Sequence, residues 1–192
     1  MTVTIRPLEP SDSLEQLTAL LHAAYASLAA QGWNFTAVDQ SVEVTRQRVV
    51  TGQVFVAVRQ DRLVGTVTIS PPKQPDAGYL GDPVPGCFSQ SDHALLAQLG
   101  VHPDERGQRL AERLMDTAEA WALSRGYTHV ALDTAQPAEH LQRRYARRGY
   151  DHVGEVQWRG KTYRSVLMLK PLNSPAASVP QARCDNPETL LP

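Results

Sequence analysis

Apolar positions along this chain switch between two periods. Val3 and Ile5 alternate with polar neighbours, which predicts a short strand over 2–6 that Pro7 and Pro10 close. Leu14, Leu17, Leu20, Leu21, Ala24, Tyr25 and Leu28 recur at three- and four-residue steps, so a helix follows. Ser11 or Asp12 is placed to cap it, with Glu15 in support, and Gln31-Gly32 ends it. A second helix over about 40–51 carries Val42, Val49 and Val50. Val54, Val56 and Val58 then alternate, as do Leu63, Val67 and Ile69, around the turn Arg59-Gln60-Asp61-Arg62. That is a β-hairpin, with Gly65 marking a bulge. Between 71 and 92 prolines and glycines break every period. An insertion of this length is either functional or a surface loop.

Residues 95–101 read as another strand, closed by Pro103. Leu110, Ala111, Leu114, Met115, Ala118 and Ala122 give the next helix one apolar face, and Gly126 ends it. Residues 129–133 form a strand and 137–148 a helix with Ala138, Leu141 and Tyr145 at helical spacing. The strands 150–157 and 162–169 flank the turn Trp158-Arg159-Gly160-Lys161. Beyond Pro171 no period survives, so 172–192 is expected to be a flexible tail on a domain spanning 1–171. The order βααβββαβαββ predicts an α/β fold. Helices flank a mixed sheet, and 95–133 forms a right-handed crossover between parallel strands.

Composition narrows the classes. A chain of 192 residues can bury a full core, and a formal net charge of −1 gives no global basic field for nucleic acid. Only Arg143, Arg144, Arg147 and Arg148 cluster. No apolar run approaches the ~18 residues of a membrane span, and the first residues lack a signal peptide's apolar core. Cys87 and Cys184 are distant and in no CxxC pair, which argues against a disulfide framework or a zinc site. The expectation is a reduced, cytoplasmic protein with no metal, no membrane and no nucleic-acid partner.

Candidate chemistry begins between 99 and 111, where a strand, a charged Gly-containing turn and a helix start follow one another. The first amides of a helix have no intrahelical partner and its dipole is positive there, so phosphate is favoured. Arg106 and Arg109 add charge. Taken alone this can equally be a plain turn. Trp33 and Phe35, in a connection, can be core plugs or walls of a substrate pocket.

The stretch Val101-His102-Pro103-Asp104-Glu105-Arg106-Gly107-Gln108-Arg109-Leu110-Ala111 resembles the acetyl-CoA-binding motif of GNAT N-acetyltransferases, Gln/Arg-x-x-Gly-x-Gly/Ala. Arg106 matches its first position and Ala111 its last; Arg109 replaces the usual glycine. Tyr145-Ala146-Arg147-Arg148-Gly149-Tyr150 resembles the family's Tyr-x-x-x-Gly-Phe/Tyr ending. The resemblance implies a GNAT-like sheet of about seven strands whose fourth and fifth strands part to admit the pantetheine arm. Leu99, Gly100 and Val101 would line the arm, and the backbone of Arg106, Gly107, Gln108, Arg109, Leu110 and Ala111 would cradle the pyrophosphate of acetyl-CoA. At negative φ Arg109 is unstrained and free to hold a phosphate oxygen, which is the reading carried forward; at positive φ its side chain is costly.

The resemblance also implies an activity, acetyl transfer to a primary amine of a small molecule or peptide. Tyr145 would act as general acid, since a phenol of pKa ~10 can protonate the departing thiolate. The family's usual base positions fall on Leu95 and Ala97, which cannot serve. Asp92, His93, Glu155 and a water relay remain open. Trp33 and Phe35 are the candidate acceptor contacts, and an acidic lining would favour polyamines or lysine, a neutral one amino-acid-like or hydrophobic amines. The family suggests a homodimer. The alternative is a module of the same fold that binds CoA without catalysis.

Overall fold

The computed structural model describes residues 2–74 and 82–172; the centre of the 71–92 insertion and the expected tail from 173 onward lie outside the described residues. In chain order the elements are β1 (Thr4–Pro7), α1 (Leu14–Ala29), α2 (Val42–Val50), β2 (Gln53–Arg59), β3 (Arg62–Ser70), α3 (Gly86–Ser89), β4 (His93–Val101), α4 (Leu110–Ser124), β5 (His129–Ala135), α5 (Glu139–Arg147), β6 (Asp151–Val156) and β7 (Ser165–Pro171). The strands form one seven-stranded sheet in the order β1-β2-β3-β4-β5-β7-β6. Every neighbouring pair is antiparallel except β4 with β5, which α4 joins.

Alternation along the strands sorts side chains to two covered faces. Val54 and Val56 pack with Leu17, Leu20 and Leu21 of α1, while Phe55 and Ala57 join Leu114, Met115 and Ala118 of α4. β3 lies between the two layers, and from Leu63 to Ser70 every residue is buried. The hairpin turn puts both Gln60 and Asp61 at positive φ, the geometry that matches strand twist in a two-residue connection. The β2–β3 register slips beside Gly65, where the sequence predicts a bulge.

The cap of the first helix lies one residue beyond the nearer of the two candidates read from sequence. Ser13, not Ser11 or Asp12, accepts from the Gln16 amide at 3.1 Å to start α1. Asp12 instead takes two hydrogen bonds from the Arg6 guanidinium, at 2.7 and 2.8 Å, which hold its carboxyl below the usual range. Ser41 caps α2 in the same manner as Ser13. The Gly-Pro-rich insertion is not wholly irregular, since α3 falls within it and Phe88 is buried against Trp158.

The feature that positions the site is where β4 and β5 stop pairing. Only His93, Ala94 and Leu95 pair with His129, Val130 and Ala131, although both strands run several residues further. On its other edge β4 slips against β3 between the Thr66↔Gly100 and Thr68↔Ala97 pairs, so β4 has one extra residue there. Gln98 sits in that bulge at φ 52. A bulge bends its strand, and this one lies on the half of β4 that has left β5.

Candidate active site

The parting of β4 and β5 opens a cleft of about 1050 Å³. β4 lines it from Leu96 to Val101, β5 with Leu132, Asp133 and Thr134, and α5 with Leu141, Arg144 and Tyr145. Tyr25 and Leu28 of α1, Phe35 and the loop residues Trp158, Lys161 and Tyr163 close one end; Arg106, Gly107, Arg109, Leu110 and Ala111 form the other.

At the second end the backbone is built for an anion. Gly107 and Arg109 both have positive φ, 83° and 55°. Arg109 is the residue before α4 and provides no side-chain cap, unlike Ser13 and Ser41 at their helices. The first amides of α4 are therefore left for an outside acceptor. The positive φ of Arg109 corrects the expectation of an unstrained backbone: the turn needs the conformation that glycine adopts freely, and arginine holds it at a cost. Arg106 is fastened across the cleft, its guanidinium donating to the Ala24 carbonyl of α1 at 2.9 Å. Gly100 permits that approach, because a Cβ there would lie 3.1 Å from the Ala24 side chain.

The first end is aromatic and carries titratable groups. Tyr25 and Phe35 meet edge to face with ring centres 5.6 Å apart, and Phe35 lies 4.8 Å from Tyr163. Tyr145 is buried in the wall, 5.9 Å between centres from Tyr150, and burial pushes its phenol up to about 12. Burial likewise raises Tyr25 above the ordinary range. Asp133 accepts from the Trp158 indole at 3.0 Å. Burial raises its carboxyl, a shift opposed by the Trp158 hydrogen bond and by the charges of Arg48 and Lys161.

Beneath the bulge lies a buried polar chain. Gln98 accepts from Thr68 at 3.3 Å and donates to Gln40 at 2.9 Å; Gln40 donates to Thr45 at 2.7 Å; Thr45 and Thr18 share a 2.7 Å hydrogen bond. The extra residue of β4 is thus held by α1, α2 and β3 together.

Of the residues singled out from sequence, Tyr145, Phe35, Leu99, Gly100, Val101, Arg106, Gly107, Arg109, Leu110 and Ala111 come together at the cleft. Gln108 does not line it; its side chain meets Arg59 at 2.9 Å and Glu105 at 3.3 Å on the outside. Trp33 packs with Ala135, Ala138 and Tyr163 rather than on the wall. His93 lies at the paired end of β4, its Nδ1 2.8 Å from the Cys87 carbonyl, beside the half-exposed Asp92. Glu155 is on the outer strand β6, ion-paired with Arg164 at 3.2 Å. His93, Asp92 and Glu155 do not reach the cleft, because strand pairing and ion pairing hold them elsewhere. His102 accepts from the Asp104 amide. Arg148 lines the cleft but is bound to Asp116 and Glu119 of α4, at 2.7 and 3.1 Å.

Sequence reasoning passes over Asp133, Gln98 and Lys161. The available signal for Asp133 is a charge closing an otherwise apolar strand, which a buried strand tolerates only with a partner.

Comparison with known proteins agrees with this architecture. A model described as the Acetyltransferase (GNAT) family matches residues 15–150. N-acetyltransferase 8F1 of Rattus norvegicus is 27% identical over 127 residues, 64% of this chain and 52% of that protein, so the chain spans about half the length of that relative. Among solved structures, the ribosomal-protein-S18-alanine N-acetyltransferase of Escherichia coli superposes with a TM-score of 0.66 at 14% identity, covering 93% of this chain and 99% of that one. The PaiA N-acetyltransferase of Thermoplasma acidophilum, in complex with coenzyme A, gives 0.68 at 15% identity over 89% of this chain and 99% of that one. With the seven-stranded sheet, its parted β4 and β5 and a family match across most of its length, the chain belongs to the GNAT family of acetyltransferases.

Proposed function

We propose that this protein transfers an acetyl group from acetyl-CoA to a primary amine by direct attack. The observation that carries the reading is the pairing, in one cleft, of an uncapped helix start with a buried Tyr145 and the carboxylate of Asp133. The fit to CoA rests on the uncapped amides of α4 and the cations Arg106 and Arg109 for the pyrophosphate, and on the free edge of β4 at Leu99 to Val101 for the amide-bearing arm. When bound, acetyl-CoA supplies the activated thioester.

Two side chains then divide the proton transfers. The amine nitrogen forms a bond to the acetyl carbon as the carbon–sulfur bond breaks. Tyr145, protonated at physiological pH like any phenol and held more firmly so by its burial, donates to the departing sulfur. Asp133 receives the proton that the amine loses, and desolvation makes it a better acceptor than a carboxylate in water. Asp133 would supply from β5 the base that β4 lacks, which favours catalysis over a module that binds CoA without it.

The test is thiol release from acetyl-CoA with a panel of amines. Turnover should fall by roughly 10²–10⁴-fold in Tyr145→Phe and in Asp133→Asn, the range for a lost general acid or base. CoA binding without turnover on any amine would instead favour the non-catalytic module.

A further inference from the structure

We propose that the reaction end of the cleft contains a carboxylate-binding subsite formed by Arg48 and Lys161, so that the acceptor is an α-amino acid with an aromatic or large apolar side chain. This deepens the acetyltransferase reading and rests on it.

Both cations line the same end of the cleft as Asp133 and Tyr145. Lys161, in the loop between β6 and β7, crosses to the segment ahead of α2, where its ammonium donates to the Asn34 carbonyl at 2.8 Å and to Thr36 Oγ1 at 3.1 Å. Two of its three donors are used and the group is held in place. Arg48 is in the last turn of α2, and among the described residues its guanidinium makes no hydrogen bond or ion pair. The two charges lie close enough that Arg48 adds to burial in lowering the Lys161 ammonium below its ordinary range. Like charges at a partly desolvated wall repel unless an anion sits between them. The acids in range are Asp133, which lines the wall, and Asp39, which does not, so a single carboxylate faces two cations and leaves a net positive charge for a second anion.

The anion that fits is set by the neighbours. Arg109 stands at the start of α4 and Arg106 is tied to the Ala24 carbonyl, whereas Lys161 is tied to Asn34 and Thr36, so this positive pair is held by different elements from the phosphate end. A planar carboxylate matches the two-pronged donor geometry of Arg48. A molecule with its amine at Asp133 and Tyr145 and its carboxylate at Arg48 and Lys161 would direct its side chain onto the aromatic wall of Tyr25, Phe35 and Tyr163. The same cations repel a second ammonium, which disfavours polyamines.

The experiment uses the full chain with acetyl-CoA and four acceptors: L-phenylalanine, phenethylamine, L-leucine and spermidine. The expected result is a kcat/KM for L-phenylalanine at least tenfold above that for phenethylamine, its decarboxylated partner. Arg48→Gln and Lys161→Gln should raise the KM for L-phenylalanine tenfold or more, bring the two acceptors toward parity, and leave the KM for acetyl-CoA within twofold. Lys161→Arg should recover most of the loss, which mere unfolding would not allow. Equal use of phenethylamine, preference for spermidine, or an unchanged KM in both variants overturns the subsite while acetyl transfer stands. Acetyl-CoA binding with turnover of none of the four overturns the subsite, and turnover of some other amine of the wider panel then keeps acetyl transfer standing.

Discussion

Two single residues carry the most information about this site, and they stand differently toward the sequence. Arg109 was visible as a departure from a glycine position, but its φ was not, because φ there is set by how the turn from Pro103–Glu105 delivers the chain to α4. At φ 55 a non-glycine residue is strained, so Arg109→Gly should raise stability by about 0.5–1 kcal/mol in denaturant unfolding. If the guanidinium also holds a phosphate oxygen, the same variant weakens acetyl-CoA binding; an unchanged affinity removes that role and leaves the strain. Asp133 could be read only as a polar end to a strand, because its partner Trp158 comes from 25 positions away. Its raised pKa has two consequences of opposite sign. The basic form accumulates only above the ordinary carboxylate range, so the acid limb of kcat/KM should lie above about pH 4 and vanish in Asp133→Asn. Between the ordinary and the raised pKa the native state binds more protons than the unfolded chain, so stability falls as pH rises through that window. Asp133→Asn should therefore lose activity yet unfold at a higher temperature near pH 7, and a variant that loses both would argue for a structural role.

At the scale of elements, the apolar pattern located the long helices and the central strands, because each buries one face or both, while the mostly exposed β6 was read from the Gly-containing turn that follows it. It could not locate the bulge at Gln98, where apolar and polar residues alternate as in any half-buried strand. The bulge exists through pairing with β3 and through side chains from three other elements. Gln98 and Gln40 are both buried, so each polar atom of the chain from Thr68 through Gln98 and Gln40 to Thr45 depends on its protein partners. Gln40→Leu should cost about 1–3 kcal/mol in chemical denaturation, since it strands the Gln98 amide, while the Thr45 hydroxyl keeps Thr18 and the Ser41 carbonyl. Gln98→Gly separates the two contributions: it relieves the positive φ but cuts the hydrogen bonds to Thr68 and Gln40. The prediction is net destabilisation with a raised KM for acetyl-CoA, because Gln98 also lines the cleft. A stabilised Gln98→Gly protein with normal kinetics would mean that the bulge holds itself.

At the scale of the whole molecule, the sheet consists of two halves, β1 to β4 and β5 to β6, joined edge to edge by three residue pairs and bridged by α4. Parallel neighbours with a helical crossover were legible in the sequence; the early end of their pairing was not, because it depends on the bulge on the far edge of β4. The cleft therefore coincides with the weakest lateral join in the sheet, and its walls draw on both halves. A ligand filling it should couple them. Acetyl-CoA at 100 times its Kd should stabilise the fold by about 2.7 kcal/mol, roughly 5–10 °C in Tm for a chain of this size. Hydrogen exchange should slow at the β4 amides from Leu99 to Val101 and at the start of α4. It should slow also in β5 beyond Ala131, where no β4 partner protects the edge. Tyr145→Phe should keep the full shift, since the phenol is assigned to the departing sulfur rather than to holding the nucleotide. Protection confined to α4, with β4 and β5 unchanged, would mean that CoA binds the helix start without entering the cleft, and the assignment of the β4 edge to the pantetheine arm would fall.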